Sequence, residues 1–324
     1  MAAPLFADYL VERRLLRRRL SFWRIAAFAA AAAAVVILGL RLFGADGPLN
    51  FSPHIARLTI SGVITGDRDT LKLISKLEDS RAAAVLVSIN SPGGTTTGAE
   101  VLYEALRRLS AKKPTVAVVG TLAASGGYIA ALGADQIVAQ GNSLVGSIGV
   151  LVEYPNFAKL LDTMGVKVED VKSSPLKASP NGFEPTTPEA RAALASIVDD
   201  SFAWFKDLVK QRRALTDPQL AAVDDGRVFT GRQGIGLHLV DRLGGEREAI
   251  AWLEQEKSVP KGLKVRDWEP SGTGQRLGLF SLGAEAAAFF HLDGLSRLLA
   301  QGEEAAQAHV LDGLVSIWQV DGSN

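Results

Sequence analysis

Ser125 stands in Thr121-Leu122-Ala123-Ala124-Ser125-Gly126-Gly127-Tyr128, with small residues on both sides. A serine placed where an apolar run ends and a small-residue helix begins projects its Oγ, and small neighbours leave room for a substrate backbone. The Gly126 N–H would then lie close to a reacting carbonyl. The same residues could equally describe a serine packing a helix onto a sheet, and Ser125 alone does not decide between the two. Asn90-Ser91-Pro92-Gly93-Gly94 also joins an apolar run to a helix. Its glycines allow close backbone approach, and N–H groups at a helix N-terminus can stabilise an oxyanion. Alone, it reads first as a tight strand-to-helix turn. An oxyanion hole and a nucleophile are needed together, so two Gly-rich turns in successive units reinforce each other.

A serine nucleophile needs a base. The four histidines are His54, His238, His291 and His309, so none lies between residues 54 and 238. His54 abuts a linker, and His238 falls in a helix that reads as packing. The alternative base is a lysine. A free lysine has a pKa near about 10.4, and lowering it by roughly 3 costs about 4 kcal/mol, which burial can supply. Lys177, in Ser173-Ser174-Pro175-Leu176-Lys177-Ala178-Ser179-Pro180, is the best candidate, although most lysines in such a loop are simply solvated. Ser147, in Val145-Gly146-Ser147-Ile148-Gly149, could hold the amine by a hydrogen bond or be an ordinary turn serine.

The elements that must position these residues alternate. Strands are expected at 55–64, 83–89, 115–119, 136–139 and 166–171. Helices are expected at 69–80, 97–109, 125–132 and 155–164. This is the pattern of a parallel sheet with helical crossovers, an α/β fold. Thr187-Pro188-Glu189 supplies an N-cap hydroxyl, a proline at the first helical position and an acid in the first turn, so a long helix should run from there to about 211. Further helices are expected at 232–239 and 246–256. Residues 257–324 form a tail of Gly/Pro-rich and then Ala/Leu-rich character whose role the residues do not decide.

Composition narrows the function. Lys plus Arg and Asp plus Glu number 35 each, and the net charge of zero gives no electrostatic reason to expect a nucleic-acid partner. The absence of cysteine excludes disulfides, thiolate nucleophiles and cysteine metal sites. The scattered histidines form no HExxH-type pair, so no metal and no cofactor are expected. Residues 25–40 carry no charge, and with flanking aromatics the apolar stretch 22–43 is long enough to span a bilayer. Residues 1–24 contain six arginines, ahead of the uncharged run 25–40, which places the N-terminus in the cytoplasm and everything after residue 43 outside. A cleaved signal peptide is the rival reading, but Phe43 is bulky where a small residue is wanted. The expected organisation is a basic N-terminus (1–21), a transmembrane anchor (22–43), a linker (44–54), a catalytic domain (55–256) and the tail (257–324).

Five motifs taken together resemble the signal peptide peptidase A family of bacterial serine peptidases, the S49 class. They are Asn90–Gly94, Ala124–Tyr128, Gly146–Val150, Lys172-Ser173 followed by Lys177, and Asp225–Gly231. The resemblance implies a ClpP/crotonase-like fold and a Ser/Lys dyad, with Ser125 as nucleophile and Lys177 as general base. It also implies that the amides of Gly94 and Gly126 form the oxyanion hole and that Ser147 sits beside the lysine. The implied substrates are hydrophobic peptides, namely signal peptides left in the membrane after preprotein processing. The implied setting is the bacterial inner membrane, with the catalytic domain on its extracytoplasmic side. The implied assembly is a homo-oligomer in which neighbouring subunits share the dyad. Asp225–Gly231 reads as structural. Alternatives are a SohB-like membrane peptidase with other substrates, a crotonase-like acyl-CoA enzyme, and a non-catalytic scaffold.

Overall fold

In the computed structural model, residues 20–29, 31, 32, 35, 36, 53–269 and 315–317 are described. The chain divides into two compact units, Met1–Ser52 and Pro53–Asn324. In the first unit, residues 20–29 are helical and expose Phe22, Trp23, Ile25 and Phe28. Among the described residues, no helix is long and apolar enough to cross a membrane. Residues 30, 33, 34 and 37–43 of the expected anchor (22–43), residues 1–19 of the basic N-terminus, nearly all of the linker and most of the tail, with His291 and His309, lie outside the described residues.

In the second unit, apolar runs form the parallel strands of one sheet. They are β1 (His54–Ile64), β2 (Ala82–Thr95), β3 (Thr115–Ala124), β4 (Gln136–Ala139) and β5 (Leu144–Gly146). Helices α1 (Arg68–Glu78), α2 (Thr96–Lys112) and α3 (Gly126–Leu132) connect the early strands. Asp67 caps α1, its side chain accepting from the N–H groups of Asp69 and Thr70. Beyond β5, α4 (Ala158–Thr163) lies on a long exposed arm. The long α5 (Pro188–Arg213) starts where Thr187, Pro188 and Glu189 placed it, with the Thr187 hydroxyl accepting from Ala190 N–H.

The remaining elements are α6 (Asp217–Ala221), β6 (Val228–Thr230), α7 (Gly231–Gly236), β7 (Arg242–Leu243), α8 (Glu246–Glu256), β8 (Val265–Trp268) and β9 (Val315–Ile317). The sheet order is β6-β5-β3-β2-β1-β8, with β4 beside β3 and β7, and β9 beside β2. Among the described strands, only β6, paired with β5, and β9, paired with β2, run antiparallel to their partners. The sheet reaches past residue 256, since β8 pairs with β1 through Ile55↔Val265 to Leu58↔Trp268.

Strand periodicity divides the core in two. Val85, Val87 and Ile89 of β2 face the larger cluster with α1, α2, α3 and α5, while Ala84 and Leu86 face Trp252 and Leu253 of α8. Each buried leucine or isoleucine contributes about 1.5–3 kcal/mol, so this double-faced burial fixes the register of the central strands.

One expected strand is absent. Residues 166–171 are not in a strand and are exposed throughout. Their alternation of valine with charged residues imitates a strand, but no edge of the sheet pairs with them, and an unpaired strand is not stable alone.

Candidate active site

β3 is shared by two short parallel neighbours. Val116–Val119 pair with β4, and Leu122–Ala124 pair with β5 in the register Ala124↔Gly146. Ser125 and Ser147 therefore leave adjacent parallel strands at their carboxyl ends, the usual place for ligand sites in such sheets. Both have left-handed backbone conformations, with φ of 54° at Ser125 and 52° at Ser147. Such conformations cost of order 1–3 kcal/mol each in a non-glycine residue and persist only where surroundings over-determine them.

The supports are visible. Ser125 N–H donates to Gly146 O at 2.8 Å, and its carbonyl accepts from Tyr128 N–H (2.9 Å) and Ile129 N–H (3.0 Å) at the start of α3. Its side chain does not cap α3, and the residue is 1% exposed. Ser147 N–H donates to Arg227 O at 2.8 Å, so the Asp225–Gly231 segment acts structurally by holding the turn after β5. Tyr128 is fully buried, its hydroxyl donating to Leu239 O at 2.9 Å, and burial pushes its phenol well above the usual tyrosine range.

The Asn90–Gly94 motif is not a loop. β2 continues through it to Thr95, paired with β1 as Val63↔Gly93 and Ile64↔Gly94. Gly94 sits so close to β1 that a Cβ there would lie 1.8 Å from Ile64 O. Ser91 ties this segment down. The residue is fully buried, its Oγ donating to Gly62 O (2.7 Å) and accepting from Gly93 N–H (3.1 Å). Its carbonyl lies where a Cβ on Gly127 would come within 2.6 Å. The end of β2 and the nucleophile turn thus touch through Ser91 and Gly127. In the sequence both residues stand inside motifs without a task of their own. Their signal was the absence of any larger residue.

Gly94, Gly126, Ser125 and Ser147 are therefore gathered at one end of the sheet. Lys177 is not brought into this group within one chain. It lies in a turn where its own N–H donates to Ser174 O at 3.1 Å, is followed by left-handed Ala178 (φ 56°), and is exposed. The arm carrying it, residues 151–186, is pinned mainly by polar contacts to itself. Phe157 N–H donates to Gly182 O, Asn156 Nδ2 to Glu184 O, and Lys172 Nζ contacts Asp170 (2.8 Å) and Glu184 (2.7 Å). The hydrogen bonds to Asp170 and Glu184 raise the Lys172 pKa, and the bond from Lys172 holds Glu184 below the usual carboxylate range.

Beside Ser147, a cavity of about 440 Å³ is bounded by Ile148, Leu151, Phe202 and Asp225 among others. The two described histidines stand apart from the nucleophile turn. His54 Nε2 accepts from Trp268 Nε1–H at 3.1 Å, and His238 is an exposed left-handed residue after α7. Among the described residues, no group of three or more acidic or histidine side chains could hold a metal ion.

The profile of peptidase family S49 matches residues 107–260, a span that includes Ser125, Ser147 and Lys177. A putative protease of Synechocystis is 38% identical over 200 residues, covering 61% of this chain and 72% of the relative. A putative signal peptide peptidase SppA of Enterococcus faecium is 29% identical over 220 residues, covering 63% and 64%. The chloroplastic serine protease SPPA of Arabidopsis thaliana is 28% identical over 233 residues, and this chain spans only 33% of its length. Among solved structures, a point mutant of ClpP1 from Listeria monocytogenes aligns with a TM-score of 0.41 at 12% identity, covering 59% of this chain and 92% of that one.

Proposed function

This chain belongs to peptidase family S49 and is a serine-type protease, and from that premise we propose that it is a membrane-anchored endopeptidase working through a Ser125/Lys177 dyad. Ser125 Oγ attacks the substrate carbonyl while the Lys177 amine takes its proton. The N–H groups of Gly94 and Gly126 receive the oxyanion, the lysine returns its proton to the leaving amine, and water then releases the acyl group from Ser125. Ser147 sits beside the lysine amine and orients it. The observation that carries this reading is the Ser125 turn itself: a buried serine held at positive φ, bonded to Gly146, beside the Gly93–Gly94 end of β2.

The lysine comes from a second copy of the chain in a homo-oligomer. The arm supports this, because it leaves Leu160, Met164, Val171, Leu176 and Phe183 exposed and α4 has no buried residue. Large apolar side chains left exposed along one arm favour an interface there. A ClpP/crotonase-like sheet fits this layout. The apolar stretch 22–43 tethers the catalytic unit to the inner membrane on its extracytoplasmic side, where signal-peptide remnants lie. A relative named as a putative signal peptide peptidase supports that substrate class.

Ser125→Ala and Lys177→Ala are each expected to abolish cleavage of a hydrophobic peptide, with folding and assembly unchanged. Lys177→Arg should be equally inactive, because arginine does not deprotonate at working pH. Full activity in Lys177→Ala would falsify the dyad.

A further inference from the structure

β9 pairs antiparallel with the end of β2, in the register Gly93↔Ile317, Gly94↔Ser316 and Thr95↔Val315. A strand has two edges. At Gly93 and Gly94 one edge is taken by Val63 and Ile64 of β1. β9 therefore lies on the other edge, the one β3 holds as far as Ser91↔Ala123. Two residues beyond Ala123, β3 has turned away into Ser125. Residues 315–317 thus occupy the slot that β3 vacates, between the Gly93–Gly94 segment and the nucleophile turn.

A substrate must use the same slot. For its carbonyl to face Ser125 and the amides of Gly94 and Gly126, an extended peptide has to run along the free edge of Gly93–Thr95. Strand addition to an open edge is also the cheapest way to bind peptides of varied sequence, because main-chain hydrogen bonds supply the affinity. We propose that residues 315–317 are a tethered occupant of the substrate edge, competing with incoming peptide strands. The inference rests on the peptidase reading for what it competes with, but the occupancy itself does not.

The tether makes the competition intramolecular, at an effective concentration of up to the order of millimolar. If the edge is open in about a tenth of molecules, apparent substrate affinity falls about tenfold. Deleting residues 312–324 should therefore lower KM for a hydrophobic peptide about tenfold, with kcat unchanged. A double Val315→Pro/Ser316→Pro variant of the full chain should do the same, because antiparallel ladder bonds alternate along the strand and proline cannot donate one. A synthetic peptide of residues 312–320 should inhibit the truncated protein competitively. An unchanged KM in both variants, with no inhibition by the peptide, overturns the proposal.

A second readout avoids hydrolysis. In the Ser125→Ala background, a fluorescein-labelled 312–320 peptide should bind the truncated protein at least tenfold more tightly than the full chain. Hydrogen exchange at Gly93–Thr95 should be slower in the full chain. Both results, together with no peptide cleavage by the chain that keeps Ser125, with or without residues 312–324, would uphold the occupancy and sink the peptidase reading. Equal binding and equal exchange would sink the occupancy alone.

Discussion

Ser125 and Lys177 sit in two regions built on different terms. The strand ends around Ser125 are buried, cross-bonded and close-packed, so the strain of two left-handed serines is absorbed by the hydrogen bonds from Ser125 N–H to Gly146 O and from Ser147 N–H to Arg227 O. The arm 151–186 has its own left-handed residue at Ala178, directly after Lys177, but leaves it exposed. α4 buries nothing, and Val171 has no cover at all. One region is finished by its own chain. The other shows apolar surface and a strained turn that its own chain leaves exposed, as the proposed shared site requires.

The serine and the lysine can be placed on different chains. Ser125→Ala and Lys177→Ala proteins should each lose activity on the order of 10⁴-fold or more. Co-assembled from a denatured or dissociated mixture, they should regain measurable peptide cleavage, because some sites would combine an intact serine from one chain with an intact lysine from the other. Mixed oligomers that remain as inactive as either parent would place both groups in one chain.

Charge on the arm tests the same contrast from the other side. Met164→Glu alters a residue that one chain leaves exposed. Chain stability should change by no more than about 0.5 kcal/mol, as for other surface substitutions. Assembly, read by sedimentation, and cleavage should both be lost. In the core the order reverses: Ile129→Glu, at a fully buried position of α3, should unfold the chain before any effect on assembly can be measured.

Alanine at two glycines gives a graded comparison. Gly94→Ala sets a methyl against Ile64 O, which belongs to the backbone of a paired strand and cannot give way locally. A loss of about 1–3 kcal/mol or more is expected in denaturant melts, with β1 and β2 forced apart. Gly165→Ala, on the arm, meets nothing within 4 Å and carries only the penalty of its positive φ (69°), about 1 kcal/mol. Equal losses at the two sites would show that the arm is as constrained as the sheet.

The same division explains what could be read from residues alone. β3 and β4 were legible because burial leaves a short apolar run, β1 because apolar and polar residues alternate through Arg57-Leu58-Thr59-Ile60-Ser61, and α5 because its cap, proline and acid are local signals. The continuation of β2 through Pro92-Gly93-Gly94 was not legible. Those residues favour a turn, and only the approach of β1 keeps them extended. β8 and β9 are short, and their strand state is decided by edges elsewhere in the chain. At the site, the nucleophile turn announced itself through its small residues. Lys177 did not, since nothing near it in sequence separates a base from a solvated lysine. Its surroundings are supplied, on the proposed reading, by another molecule.

The smallest effect concerns how the arm holds its own conformation. Lys172 lies between Asp170 and Glu184, and Asn181 accepts from the N–H groups of Phe183 and Glu184. The hydrogen bond from Lys172 lowers the folded-state pKa of Glu184, so its contribution is complete above the ordinary carboxylate range. That contribution is lost as pH falls through the lowered value. Lys172 is shifted the other way, so its share is fully present below the ordinary lysine range and lost as pH rises through the raised value. The arm should therefore hold its conformation across neutral pH and loosen at both extremes. The effect is modest because the pair is partly solvated and salt screens it. Limited proteolysis within residues 165–180 should quicken in acid for the unaltered chain. In Glu184→Gln the acid limb should flatten, because the carboxylate that titrates is gone, while the serine turn in the sheet resists cleavage throughout. An acid limb of unchanged slope in Glu184→Gln would assign the loosening to other carboxylates and leave the arm without this pin.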